Sequence, residues 1–221
     1  MRIGAVIPTR GDRPEFIDKC KTMQAYQTMK IDVVEFIDFI PVNDKKDITK
    51  RYRIGLEKIK NSCDVVFLWE DDDYYSPDYI ELMVKGWLAC GEPSLFGYSV
   101  TVYYHLKSKR YSVIKHPGRA SAMNTMIKTT DIDKIKWPPD DGPFLDIRLW
   151  KCLNGVTQPC EPEHLPCIGI KHGIGVSGGI GHKENWGGYT VNDADMSMLS
   201  RATQDMFLFY KELSDKLTNE K

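Results

Sequence analysis

Residues 65–77, Val-Val-Phe-Leu-Trp-Glu-Asp-Asp-Asp-Tyr-Tyr-Ser-Pro, constrain this chain more than any other stretch. The apolar run from Val65 to Trp69 is short, β-branched and aromatic, so it reads as a strand buried on both faces. Glu70, Asp71, Asp72 and Asp73 follow it directly. Ser76-Pro77 then reads as N-cap and first helical residue, since proline loses nothing where no amide partner exists and a serine oxygen can accept an orphan N–H. The acids therefore sit at the C-terminal end of a central strand, where ligands bind in an open α/β sheet. Four adjacent carboxylates repel one another, and packed oxygens suit a hard divalent ion such as Mg²⁺ or Mn²⁺. In an extended conformation Glu70 and Asp72 share one face, Asp71 and Asp73 the other. The plainer reading is a solvated acidic loop ahead of a helix N-terminus. The buried strand before it and the capped helix after it favour a site.

Upstream, Ile3–Ile7 is a first strand, turned by Pro8-Thr9-Arg10-Gly11 into a helix with Asp12 as N-cap, Glu15 completing a capping box, and Phe16, Cys20 and Met23 at helical spacing. Residues 31–39 give a second strand. Asp47 is placed to cap a helix carrying Ile48, Tyr52, Leu56 and Ile59. Arg51 and Arg53 fall early in it, within reach of a phosphate or, more simply, solvated. With the helix after Pro77, which Gly91 would stop, the order is βαβαβα and the sheet parallel.

Beyond Leu95 the pattern changes. Leu95–Leu106 and Tyr111–Ile114 read as a hairpin with a basic tip at residues 107–110, and Ala122–Ile127 as a further strand. Trp137-Pro-Pro-Asp-Asp-Gly-Pro143 is a loop carrying Asp140 and Asp141, followed by a helix through Leu145, Leu149 and Cys152. Leu165–Ile170 is a strand with His172 at its end. The glycine-rich stretch from Gly173 to Gly188 fits no phosphate-loop pattern. From Asp193 an amphipathic helix carries Leu199, Thr203, Met206, Tyr210, Leu213 and Leu217 on one face. Cys152, Cys160, His164 and Cys167 put three thiols and an imidazole close together in the chain and could make a structural zinc site, but they lack the usual paired C-x-x-C spacing, and reduced thiols are the plainer reading.

The segment Glu70-Asp71-Asp72-Asp73-Tyr74-Tyr75-Ser76-Pro77 resembles the Asp-x-Asp segment of GT-A-fold glycosyltransferases, most closely those of family 2, with Glu70 where the family usually has Asp. The resemblance implies a single α/β, Rossmann-like domain over 1–221 with a mostly parallel central sheet. Residues 1–93 would form the nucleotide-sugar half, 94–190 the acceptor half with its hairpin and glycine-rich loop, and 191–221 a C-terminal helix. It implies a divalent metal, Mn²⁺ or Mg²⁺, held by Glu70, Asp72, Asp73 and a late histidine, His172 with His182 as runner-up. Pro8, Thr9, Arg10 and Asp12 would lie near the donor, with Asp71, and with an acid after the second strand, Asp44 or Asp38, on the base. The donor would be a nucleotide-sugar, foremost a UDP-sugar. In the family an acid on the loop before a late helix takes the acceptor proton. Asp141 is placed for that, although Asp140-Asp141, Asp146 and Arg148 match the family string only loosely around an inserted Gly-Pro. The implied reaction is metal-dependent, inverting transfer of a sugar to a hydroxyl on a glycan, lipid-linked glycan, protein or modified nucleic acid.

Two competitors come from other classes. A nucleotidyltransferase shares acids and metal, but its usual glycine-rich basic loop is missing from Pro8–Arg13. A non-catalytic nucleotide-sugar or metal-binding module would have lost its base, and Asp141 is still acidic. With 30 Lys and Arg against 31 Asp and Glu there is no global charge signal for nucleic acid or anionic membrane. No run matches a signal peptide or a membrane span, so the cytoplasm is expected.

Overall fold

The computed structural model describes residues 1–10, 13–40, 47–142, 144–160, 165–173 and 187–219. Strands β1 (Ile3–Pro8), β2 (Val33–Ile37) and β3 (Val65–Leu68) alternate with helices α1 (Pro14–Ala25), α2 (Ile48–Ile59) and α3 (Tyr79–Ala89). β1 pairs in parallel with β2 and β3. The sheet is completed by β5 (Leu95–Tyr98), β8 (Thr125–Lys128) and β9 (Gly155–Gln158), in the order β2-β1-β3-β8-β5-β9. Only β8 runs antiparallel to its neighbours, so the central sheet is mostly parallel.

β3 is covered on both sides, as a continuous apolar run requires. Val65 and Phe67 join the core beneath α1 and α3, while Val66 and Leu68 join the one beneath α2 and α4 (Leu145–Cys152). Gly55 lets α2 lie close on β1, since a Cβ there would sit 2.3 Å from Val6 Cγ1.

A second sheet has the order β11-β7-β6-β10-β4. It comprises β4 (Tyr74–Tyr75), β6 (Val100–His105), β7 (Arg110–Lys115), β10 (Cys167–Lys171) and β11 (Val191–Asn192). The expected hairpin is β6–β7, but its first arm is not one strand. The chain leaves the first sheet after Tyr98 and enters the second at Val100. Ser99 is held at the crossing by donating to Gln158 O (2.9 Å) and accepting from His116 N–H (2.7 Å). Identical strand chemistry on both sides of Ser99 hides this switch in the sequence.

Three helix starts also differ from expectation. Pro14 opens α1, with Arg13 at the N-cap position; Asp12 lies outside the described residues. Asp47 stands at the N-cap position of α2 but makes no side-chain cap, because its carboxylate is engaged by Arg51. Residues 74–75 form β4, and α3 starts at Tyr79 with Asp78 at its N-cap position. Ser76 Oγ donates to Asp78 Oδ1 (2.6 Å) instead of capping. The C-terminal helix is broken. Asp193 accepts from the Met198 and Leu199 amides at 3.0 and 3.2 Å and starts α5 (Ser197–Thr203). Gln204, at φ 34°, interrupts the run before α6 (Phe207–Asn219). Leu199, Thr203, Met206, Tyr210 and Leu213 are buried as the spacing predicts. Among the described residues no helix is long and apolar enough to cross a membrane.

Candidate active site

The acids occupy the turn that carries the chain from β3 in the first sheet to β4 in the second. They are not extended, so the expected two-face alternation does not form. The turn is anchored at its start, where Trp69 N–H donates to Val6 O (3.1 Å), Tyr52 Oη donates to Trp69 O (3.3 Å) and Glu70 N–H donates to Tyr75 Oη (2.8 Å). The Trp69 and Tyr75 rings stack at 3.9 Å. β10 runs antiparallel to β4, so its end returns to the turn, and Ile170 N–H donates to Asp73 Oδ1 (2.8 Å).

This geometry gathers Glu70, Asp72 and Asp73, each offering an oxygen, within 4.8 Å of one another. His172 Nε2 is 2.9 Å from Asp72 Oδ2, at the edge of that group. Asp71 turns away from it, toward Arg13. Two cations not expected at the site from the sequence, Arg13 and Lys171, line the turn. Arg13 NH2 and NH1 lie 2.8 Å from Asp71 Oδ1 and Asp72 Oδ2, and Lys171 Nζ lies 3.8 Å from Asp73 Oδ1. One signal was available for Arg13: a cation directly before the N1 proline of a helix faces the positive end of the helix dipole and so calls for an anion.

Burial and the neighbouring acids push Asp73 and Glu70 upward, and Asp71 up to about 7, against the pull of Lys171 and Arg13. Asp72 differs. Burial would raise it, but the His172 hydrogen bond and the Arg13 guanidinium outweigh that and hold it well below the usual carboxylate range. Lys171 is held above its ordinary value, because Asp73, Glu70 and Asp72 outweigh its burial. Asp73 Oδ2 is buried with no hydrogen-bond partner among the described residues. Crowded hard oxygens, one of them orphaned, fit a divalent ion of the Mg²⁺ or Mn²⁺ type.

The proton-accepting candidates separate clearly. Asp140 is exposed and paired with Arg53 (2.7 Å), and Asp141 is exposed on the adjacent turn. Phe144, in the left-handed region at φ 59°, swings the chain into α4 and brings Asp146 inward. Asp146 is partly buried and paired with Arg119. Burial raises its carboxyl against the Arg119 charge, and its own charge reaches Glu70. Of the expected acids on and after this loop, Asp146 is half-buried, whereas Asp140 and Asp141 are exposed.

Of the residues expected near a donor, Pro8 ends β1 and Thr9 is buried beyond it, with Thr9 N–H donating to Ile37 O (3.0 Å) and Arg10 next in the chain. Asp44 and His182 lie outside the described residues, as does His164. Cys152 is exposed while Cys160 and Cys167 are buried, and all three are free thiols. Among the described residues the three acids are the only metal-capable cluster.

Arg51 is neither solvated nor open to a phosphate. It is 2% exposed, and it donates to the carbonyls of Thr9, Ile37 (2.9 Å) and Phe39 and to both Asp47 oxygens (2.9 and 2.8 Å). It clamps the ends of β1 and β2 to the start of α2. Arg51→Met should cost roughly 3–5 kcal/mol, the usual penalty for removing one partner of a buried charged network. Melting curves should show a fall on the order of 10 °C. Arg53→Met, which loses only an exposed pair, should melt close to the parent.

The architecture is a GT-A-like fold. Among solved structures, S. aureus TarS 1–349 in complex with UDP-GlcNAc matches with a TM-score of 0.54 at 8% identity, covering 100% of this chain and 71% of that one. The same protein in complex with UDP matches with a TM-score of 0.54 at 8% identity, over 77% of this chain and 60% of that one. TarS 1–349 alone gives a TM-score of 0.50 at 10% identity over 77% and 60% of the two chains. In two of these three matches the chain therefore spans less than two thirds of its neighbour's length. No protein-family model matches the chain, and no curated protein matches it by sequence.

Proposed function

We propose that this protein is a glycosyltransferase that moves a sugar from a nucleotide-diphosphate donor, foremost a UDP-sugar, to an acceptor hydroxyl, with inversion. The observation that carries this reading is the acidic turn itself, with three carboxylates converging within 4.8 Å at the carboxyl end of the central strand of a GT-A-like fold. Strand ends of such sheets are where nucleotides are held. The complexes of TarS with UDP and UDP-GlcNAc support a uridine donor.

Glu70, Asp72 and Asp73 would hold Mg²⁺ or Mn²⁺, with His172 fixing the orientation of Asp72. When bound, the ion would neutralise charge developing on the leaving diphosphate. Thr9 and Arg10, on the loop clamped by Arg51, would line the donor. Asp146, kept in place by Arg119, would accept the acceptor hydroxyl's proton as the new bond forms. Its raised carboxyl makes it a stronger base than a solvated aspartate, at the cost of being ionised only at higher pH.

A thermal-shift screen of nucleotide-sugars with and without Mn²⁺ tests the reading, because a ligand of the native state raises the melting temperature by mass action. A shift with one nucleotide-sugar that grows with Mn²⁺ is expected. No shift with any of them would refute the proposal.

A further inference from the structure

Arg13 lies between two of the four carboxylates at 2.8 Å from each, and it is 9% exposed, so this is not a surface ion pair. NH1 also lies 3.4 Å from His172 Nε2, and the guanidinium carbon is 5.5 Å from the centre of the Phe16 ring. Arg13 holds the N-cap position of α1, where the helix dipole repels a cation. Asp71 and Asp72 therefore supply the attraction that keeps it there. Asp72 also belongs to the metal-capable group. A divalent ion and a guanidinium on the same carboxylate would crowd three positive charges around it. A guanidinium forks a phosphate with the same planar geometry it uses for a carboxylate.

We infer that Arg13 is a ligand of the donor diphosphate which, before the donor arrives, neutralises Asp71 and Asp72 in place of the metal. This rests on the nucleotide-sugar reading of the site. Metal entry requires Arg13 to release Asp72, and the diphosphate gives the released guanidinium a new anionic partner. Nucleotide and metal therefore bind cooperatively, and by linkage each raises the other's affinity by the same factor. Lys171, 3.8 Å from Asp73, stays as the fixed counter-charge.

The test is Mn²⁺ binding, read by the electron paramagnetic resonance of free Mn²⁺, with no nucleotide and with saturating UDP or GDP. It is run on the parent, Arg13→Gln and Arg13→Lys, each first shown by melting to be folded. The parent should bind Mn²⁺ more tightly with its nucleotide by a factor of roughly 5–150, the usual range of such couplings. Arg13→Gln should bind Mn²⁺ more tightly than the parent without nucleotide and lose most of the coupling. Arg13→Lys, with the charge but not the fork, should fall between. Suppose the parent binds nucleotide and Mn²⁺, but Arg13→Gln binds Mn²⁺ no more tightly or keeps the full coupling. Then the role of Arg13 is refuted and the glycosyltransferase reading stands. If the parent binds neither UDP nor GDP with or without Mn²⁺, the nucleotide-sugar reading fails and this inference fails with it.

Discussion

Asp146→Asn should slow donor cleavage by about two to four orders of magnitude, the usual worth of a general base. The rate can be read as nucleoside diphosphate release, with water standing in for the acceptor. Asparagine keeps the shape and can still accept from Arg119, so the fold and donor affinity should survive. The activity of the parent should rise with pH through a value above the ordinary carboxylate range, since burial raises the Asp146 carboxyl and a base must be ionised to act. Asp140→Asn and Asp141→Asn touch exposed acids and should leave the rate within a factor of a few. If Asp141→Asn abolishes cleavage and Asp146→Asn does not, the loop before α4 places its acid as the sequence alone suggested, and the assignment to Asp146 is wrong.

That contrast shows where the sequence stops being informative. Val65–Asp73 was readable because five apolar residues meet four acids with nothing between them, and local chemistry suffices to place the pair at a strand end. The β1-α1-β2-α2-β3 order followed for the same reason, from short-range periodicity. The choice between Asp141 and Asp146 depends on one left-handed residue, Phe144, which no propensity predicts. Arg13 and Asp71 are 58 positions apart, and Arg119 and Asp146 are 27 apart, so neither pair leaves a local trace. Arg51 looked like any helix arginine because its three carbonyl partners are main-chain atoms, invisible in side-chain pattern. The split between β5 and β6 was hidden because both halves carry the same β-branched and aromatic chemistry.

Asp72→Asn should weaken Mn²⁺ binding in the presence of nucleotide by roughly a hundredfold or more, since even residues that only support a metal ligand are commonly worth 10–100-fold. Its effect on the metal-free protein should be a loss of stability. The native site favours the ionised form of Asp72 through His172 and Arg13, so asparagine forfeits that interaction. Asp73→Asn should do the opposite to the metal-free fold. Burial and its acidic neighbours disfavour the Asp73 charge, and an amide can keep the Ile170 hydrogen bond while removing it. Melting of the two variants in chelator should therefore move in opposite directions. Equal shifts would contradict the opposite charge environments of the two carboxylates, and Mn²⁺ binding by Asp72→Asn at parental strength would mean that Asp72 is not a metal ligand.

The central claim is that the turn after β3 holds a divalent ion on a nucleotide diphosphate. Anomalous diffraction from crystals grown with Mn²⁺ and UDP tests it most directly. One manganese peak is expected within coordination distance of carboxylate oxygens of Asp72 and at least one of Glu70 and Asp73, with diphosphate oxygens completing the shell and Arg13 turned onto the phosphates. UDP bound with its diphosphate away from these acids, or manganese ligated elsewhere while the turn keeps Arg13 between Asp71 and Asp72, would contradict it.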